Sequence, residues 1–141
     1  MAQIPPAPPL PGEAQLEIFV YPDVVPPTRP LEEDNKFSDA RRLEVLGSEM
    51  SEVILLEVLA KRWPRATAQQ LKTLVSSRMG GLMETTVNAY KWRDHVRGYP
   101  PNFDKNKPQE AYRLFRTFCG AVYVEHGYQG LRDWIAALAP V

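Results

Sequence analysis

Proline is distributed very unevenly along this chain, and its distribution limits where regular structure can form. Nine of the fourteen prolines fall within the first thirty of the 141 residues. Proline restricts the backbone and lacks an N–H donor, so this opening region can be neither regular helix nor central strand. We therefore expect an extended, polyproline-like arm over residues 1–15, which either wraps the domain or docks on a partner that recognises proline-rich segments.

The remaining residues, 16–141, are enough for one domain with a substantial core and too few for two. Residues 16–21 (LEIFVY) form a short apolar block that predicts either two helical turns or a strand packed on the core. The proline-rich and acidic residues 22–35 predict a loop. From residue 38 onward, apolar residues recur at intervals of three and four, which is typical of helices.

Capping residues divide this helical region. Ser38 is the predicted N-cap of a long first helix that ends at Trp63, before a proline. Thr67 is the predicted N-cap of a second helix that ends at Gly80 and Gly81. A third helix is expected directly after these two glycines.

The second half of the chain follows the same helical pattern. The third helix should cover residues 82–92, and Pro108 should open a fourth long helix that Gly127 ends. Trp134 belongs to a last helix and, like Trp63, is expected in the core. No strand pairing is evident, so the predicted class is all-α. The predicted buried face of the fourth helix carries Ala111, Phe115, Phe118, Cys119, Val122 and Tyr123.

Overall charge and cysteine content narrow the range of functions. The 17 basic and 17 acidic side chains cancel, so any RNA-binding site must come from local clustering of cations. Cys119 is the single cysteine, which excludes an internal disulfide and a multi-cysteine zinc site. His95 and His126 have no partners at metal-ligand spacing. We therefore expect no metal and no cofactor.

The sequence also bears on location. No apolar run approaches the roughly 18 residues of a membrane span, so we expect no membrane partner. The first thirteen residues show neither the charge pattern of a secretory signal nor the arginine-rich character of a mitochondrial presequence. Cytoplasm or nucleus is the expected compartment, with a mitochondrial location left open.

Two blocks of sequence resemble the ribonuclease III family. Residues 42–47 (RLEVLG) are similar to the family signature ERLEFLGD. Some seventy residues later, Phe115, the GAVY of residues 120–123 and Gly127 are similar to its second block. Trp63 stands, with the proline after it, where the family has tyrosine-proline. The resemblance covers about residues 16–138 and implies a ribonuclease III-like helical endonuclease-domain fold.

The resemblance also shows what the chain lacks. Members of the family cut double-stranded RNA with magnesium held by four carboxylates, because this ion prefers oxygen ligands. Those positions correspond here to Glu44, Ser48, Arg113 and Arg116, and a further family glutamate corresponds to Arg41. Only one of the four ligand positions still carries an acid, and two of them carry cations. We therefore expect no cleavage of RNA and interpret the chain as a pseudo-ribonuclease III.

The arginines allow two interpretations. Arg113 and Arg116 are three residues apart on one helix and share a face, which the resemblance directs toward Glu44. They either pair with neighbouring acids, such as Glu110, and replace the cohesion that metal would provide, or bind RNA phosphates. In the second case Arg41 would join them, since shape-based recognition of duplex RNA needs backbone contacts and no metal.

A second basic stretch lies near the middle of the chain. Lys91, Arg93 and Arg97 alternate with aromatic residues, a pattern that fits either an RNA-binding surface or a solvated helix end. We retain these three residues as candidate RNA contacts.

Self-association is the other property that the resemblance implies. In the family, a phenylalanine of the first block inserts into the partner, and Val45 occupies that position here. Residues 53–56 are apolar on every side of the helix, so Val53 and Leu56 are expected to contact a partner. We expect a symmetric homodimer.

These observations leave three functions open. The chain is expected to be an inactive ribonuclease III-like domain that dimerises and binds or scaffolds double-stranded RNA or an RNA-processing or ribosomal assembly. One alternative is a protein-interaction module without RNA affinity. The other keeps the chain in an active enzyme, either through a displaced metal site or as the non-cutting subunit of a heterodimer with an active ribonuclease III.

Overall fold

The regular structure of the protein is helical. The computed structural model describes residues 4–22 and 35–139. Its main helices are α1 (Gly12–Phe19), α2 (Ala40–Arg62), α3 (Ala68–Tyr90), a short 3-10 helix (Trp92–His95) and α4 (Pro108–Leu138). Within the described ranges the only β pairing is an isolated bridge between Val20 and Arg97. The predicted all-α class is confirmed. Most of the predicted loop over residues 22–35 lies outside the described residues.

Helix α1 resolves the choice between helix and strand at residues 16–21. The helix begins at Gly12 and buries Ala14 and Ile18 completely. These two residues are one turn apart, which aligns them on the core-facing side. The predicted division between arm and domain after residue 15 therefore falls inside α1.

The described part of the proline-rich arm lies along the domain. The Tyr90 hydroxyl donates a hydrogen bond to the Pro5 carbonyl oxygen. The His126 ring nitrogen Nε2 is 2.7 Å from the Pro9 carbonyl oxygen and donates to it. Ala7 and Leu10 pack against the core. The arm thus has the wrapped arrangement over residues 4–11.

Helix α2 starts one residue later than the predicted cap implies. The Asp39 side chain, and not that of Ser38, accepts a hydrogen bond from the Arg42 N–H at 3.0 Å. Ser38 is itself buried. The helix then runs to Arg62 and stops at Trp63, as predicted, because the following proline disfavours helical geometry in the residue before it.

Helix α3 corrects the predicted break at two glycines. Thr67 and Gln70 form a reciprocal capping box at its start, which confirms the predicted N-cap. The helix then continues through Gly80 and Gly81 to Tyr90, so the predicted second and third helices are one. A glycine costs a helix about 1 kcal/mol, which the packing of α3 on α4 outweighs here.

Helix α4 is the centre of the fold and packs most extensively on α2. Pro108 occupies its first turn, as predicted. Gly127 interrupts it with a φ of 75°, so the predicted stop is a local break within one long element. Before that break α4 is buried on most sides, and Phe118 stacks on Trp92 at 4.2 Å between ring centroids.

Two tryptophans are predicted to lie in the core. Trp134 is buried as predicted, whereas Trp63 is 44% exposed and its predicted core position is wrong.

Candidate functional site

The candidate site lies where α2 and α4 cross, and two glycines determine how closely the helices approach. A Cβ atom on Gly47 would lie 1.7 Å from the Arg116 carbonyl oxygen. A Cβ atom on Gly120 would lie 2.0 Å from the Leu43 carbonyl oxygen. No other residue type fits either position without separating the helices. The two backbones are therefore in direct contact at this crossing.

This crossing brings together the two sequence blocks that contain the four candidate positions. Glu44 and Ser48 flank the contact on α2, and Arg113 and Arg116 lie on the facing part of α4. All four residues are partly buried. Burial lowers the pKa of Arg113, the hydrogen bonds and charge of Glu110 raise it, and the negative charge of Glu44 adds a smaller rise. An acid and two cations thus share this site.

Arg113 has an acidic partner within its own helix. Its Nε donates to Glu110 Oε1 at 2.7 Å and its Nη2 donates to Glu110 Oε2 at 2.6 Å. The Glu110 side chain is only 2% exposed and that of Arg113 is 13% exposed. A two-pronged bond of this kind matches the planar guanidinium to both carboxylate oxygens. Of the two interpretations that the sequence allows for Arg113, the structure shows the one in which it pairs with a neighbouring acid.

Aromatic side chains enclose this ion pair. The Tyr99 hydroxyl donates a hydrogen bond to Glu110 Oε2. The Arg113 guanidinium lies 5.2 Å from the centroid of the Tyr21 ring. Tyr21 and Tyr99 each contact Phe103, with ring centroids 5.0 Å apart. The pair is therefore shielded from water by rings that come from two separate parts of the chain.

Enclosure changes the acid–base properties of the cluster. Burial raises the pKa of Tyr99, and the hydrogen bond to Glu110 and its negative charge raise it further. Burial alone would lower the pKa of Arg113, but the hydrogen bonds and charge of Glu110 leave it above its ordinary value. The protonated tyrosine, the carboxylate and the guanidinium thus form a mutually stabilised set. The Arg113 Nη1 atom is buried without a hydrogen-bond partner among the described residues.

The other two candidate cations of this site differ in exposure. Arg116 is half-buried, and its guanidinium lies 5.8 Å from the centroid of the Tyr112 ring. Arg41 is exposed in the first turn of α2. Of the three arginines, Arg41 is the exposed one, and Arg113 is the one held by a buried carboxylate.

The second basic stretch connects to the site through Tyr21. The Tyr21 N–H donates to the Arg97 carbonyl oxygen at 2.8 Å, and the Arg97 N–H donates to the Phe19 carbonyl oxygen at 2.8 Å. The Arg97 side chain is exposed. Lys91 is exposed at the end of α3, whereas Arg93 donates to the Lys107 carbonyl oxygen at 3.2 Å. The basic stretch is thus a surface segment next to the Glu110–Arg113 ion pair, and hydrogen bonds hold part of it in place.

One face of α2 carries the residues expected at a dimer interface. Val45 is 66% exposed, Val53 is 52% exposed and Leu56 is 40% exposed. Their spacings of eight and three residues place them on one side of the helix. Ile54 and Leu55, which lie between them in sequence, are buried in the core. The apolar run at residues 53–56 is therefore buried on one side only within a single chain.

The remaining polar candidates do not form a metal centre. Within residues 4–22 and 35–139, no group of three or more His, Cys, Asp or Glu side chains could hold a metal ion. His95 is exposed and contacts the Phe19 ring edge-on. Cys119 is completely buried, and burial raises the pKa of its thiol well above the ordinary value, as expected for a packing residue.

Neither known protein families nor curated proteins provide a match to this chain. In the described part of the protein, no helix is both long enough and apolar enough to cross a membrane.

The sequence did not identify the aromatic members of the site. In the sequence, Tyr21 belongs to the apolar block of residues 16–21, and Tyr99 stands directly before two prolines. Arginine tends to pack against aromatic rings, which is the general preference that could point to these residues. Nothing in the sequence, however, places residues 21 and 99 beside residue 113.

Proposed function

We propose that this chain is an inactive ribonuclease III-like domain that dimerises and holds structured, double-stranded RNA or an RNA-processing or ribosomal assembly without cutting it. The observation that carries this proposal is the meeting of the two sequence blocks at the α2–α4 crossing. Residues 42–47 and 113–120 are far apart in sequence, yet the backbones of Gly47 and Gly120 are packed against the opposite helix. The blocks that resemble the family thus lie together in space.

The charges at this crossing argue against metal-dependent cleavage. Glu44 is the one acid among the four positions, and the nearby carboxylate of Glu110 is bound through both oxygens by Arg113. Magnesium requires several oxygen ligands that are free to coordinate it. A cation at about 4 Å from a metal would oppose its binding by roughly 4 kcal/mol per unit charge before screening. The ion pair and a bound divalent cation are therefore competing arrangements.

The distribution of accessible cations favours a binding role for two of the arginines. Arg41 is exposed at the start of α2 and Arg116 is half-buried on α4, and the nearly buried Glu110 binds Arg113 through both oxygens. Arg97 adds an exposed cation on the neighbouring segment. Duplex RNA is recognised mainly through its backbone and shape, for which separated cations on one surface are sufficient. In this proposal Arg113 orders the surface and the other arginines contact phosphates.

A second candidate function is favoured by the exposed face of α2. Val45, Val53 and Leu56 present apolar surface along that helix, and the chain has no net charge. An apolar face of this kind fits a protein partner better than a nucleic acid. The protein would then act as an interaction module, or as the non-cutting subunit beside an active ribonuclease III.

A gel experiment distinguishes these functions. The purified chain is incubated with an end-labelled duplex RNA and magnesium or manganese, and the products are separated on native and denaturing gels. The proposal expects a shifted duplex on the native gel and intact strands on the denaturing gel. Cleavage would contradict the proposed inactivity, and an unshifted, intact duplex would favour the interaction module.

A matched pair of charge reversals assigns the shift to the site. Arg116→Glu should weaken duplex binding, because it places a negative charge beside the phosphates. Lys72→Glu makes the same charge change on α3, where Lys72 is exposed and outside the crossing, and should leave the shift nearly unchanged. Equal weakening by both variants would mean that binding reflects overall charge and not this site.

A further inference from the structure

A cavity of about 750 Å³ lies between the end of α2 and the start of α3, away from the crossing described above. Its polar and aromatic lining includes Trp63, Arg65, Gln69, Gln70, Thr73 and Arg78, and the set of lining residues contains no acid. Gly47 lies fifteen residues before the end of α2, so the two sites are roughly 22 Å apart along the helix. The cavity is within the size range of small-ligand sites.

Trp63 gives this cavity an accessible aromatic face. It is 44% exposed, whereas Trp92 and Trp134 are each only 5% exposed. Trp63 follows α2 in a non-helical conformation, with φ −124° and ψ 68°, and the helix ends there. Tryptophan is normally buried to a large extent, so its exposure beside a cavity indicates a surface that can be covered by a ligand.

The cavity is also locally cationic in a chain without net charge. Arg65 is exposed and Arg78 is half-buried, and neither forms an ion pair with any described residue. Arg62 is different, because it donates to the carbonyl oxygens of Ala139 at 2.6 Å and Ala136 at 2.9 Å. The two arginines whose charge remains available are thus Arg65 and Arg78.

Hydrogen-bonding groups complete the lining. Gln70 uses its Oε1 atom to accept from the Thr67 N–H at 2.8 Å, and its amide nitrogen keeps donor capacity. Gln69 and Thr73 are exposed on the same helix. The cavity therefore combines an aromatic face, two cations, and side-chain amide and hydroxyl groups.

We propose that this cavity binds an unpaired nucleotide of a single-stranded nucleic acid, with the base on Trp63 and the flanking phosphates on Arg65 and Arg78. Bases stack on exposed aromatic rings while cations follow the phosphate backbone. An acidic peptide would use the cations but would leave the indole face and the amide groups without a planar partner. The proposal does not depend on the resemblance to ribonuclease III or on duplex binding at the crossing.

Fluorescence anisotropy of a labelled eight-nucleotide adenosine RNA tests this proposal. We expect binding that weakens with salt, with a slope of about −1.4 in log affinity against log salt if two phosphates are neutralised. Trp63→Ala should weaken binding about tenfold, the order observed when a stacked base loses its aromatic platform, and Trp63→Phe should retain most of it. Circular dichroism checks that each variant is folded.

Charge-matched variants separate the cavity from overall electrostatics. Arg65→Glu should weaken binding and lower the salt slope, whereas Lys72→Glu makes the same change at an exposed position that does not line the cavity. An abasic octamer with the same phosphates should bind about tenfold more weakly than the adenosine octamer.

Four results would overturn the proposal. They are absence of binding, equal affinity of Trp63→Ala and wild type, equal affinity of the abasic and adenosine octamers, and equally tight binding of an octaglutamate peptide. Sedimentation of Trp63→Ala provides a further check. Loss of self-association in this variant, with RNA binding unchanged, would assign Trp63 to a contact between copies and reject the nucleotide site.

Discussion

The carboxylate of Glu110 is nearly buried, and its bonding partners determine how much stability the protein loses when this charge is removed. It binds the Arg113 guanidinium through both oxygens and accepts a hydrogen bond from Tyr99. Removing its charge by Glu110→Gln leaves a mostly buried guanidinium without compensation. We expect the free energy of unfolding to fall by about 3 kcal/mol, measured by urea denaturation.

The double replacement Glu110→Leu with Arg113→Met should cost less than Glu110→Gln alone, because it removes both charges together. Glu125→Gln is the matched control. It removes the partner of Lys36 from an ion pair whose lysine is 56% exposed, and exposed pairs contribute at most about 1 kcal/mol. Equal losses for Glu110→Gln and Glu125→Gln would contradict the structural role of the buried pair.

Tyr99 predicts a loss of stability at high pH. Burial, followed by the hydrogen bond to Glu110 and its charge, raises the pKa of Tyr99 in the folded chain. An unfolded tyrosine titrates near pH 10, so its contribution to stability is complete below about pH 10 and is lost as pH rises toward the folded pKa. Urea denaturation between about pH 9 and 11 should show a smaller decline for Tyr99→Phe than for wild type. Identical declines would show that the hydroxyl does not stay protonated.

At the scale of elements, the close approach of α2 and α4 requires glycine at two positions. Gly47→Ala would place a methyl group 1.7 Å from the Arg116 carbonyl oxygen, and backbone cannot move aside as a flexible side chain can. We expect a loss of about 3 kcal/mol in the free energy of unfolding, from forced separation of the helices. Gly120→Ala should have a similar effect, for the same reason.

Gly81 provides the matched control for this prediction. It lies within α3, and a Cβ atom there would meet nothing within 4 Å. Gly81→Ala should therefore stabilise the protein by about 1 kcal/mol, since alanine is the better helix former. Destabilisation by Gly81→Ala, or tolerance of Gly47→Ala in urea denaturation, would contradict these assignments.

At the scale of the whole molecule, the exposed face of α2 predicts self-association. Val53→Glu with Leu56→Glu places two charges in the expected interface and should convert a dimer into a monomer. Sedimentation velocity measures this change. Ser76→Glu with Thr85→Glu adds the same charge at exposed positions of α3 and should leave the dimer intact. A wild-type chain that remains monomeric at all concentrations would contradict the prediction.

The sequence by itself determined the helical class and several helix ends, because these depend on local chemistry. Thr67 caps α3 through its own first turn, and Pro108 opens α4 because its fixed backbone suits that position. Gly127 breaks α4 since its positive φ is favourable for glycine. Only the resemblance to a known family predicts that Glu44 and Arg113 lie close together.

Tertiary structure decided the features that depend on which elements pack together. The helix continues through Gly80 and Gly81 because burial of α3 outweighs a weak local preference, and Trp63 is exposed where α2 ends. The enclosure of Arg113 by Tyr21 and Tyr99 joins three distant segments. Local propensities act over a few residues, whereas such contacts exist only once the helices have crossed, and no pattern along the chain encodes that geometry.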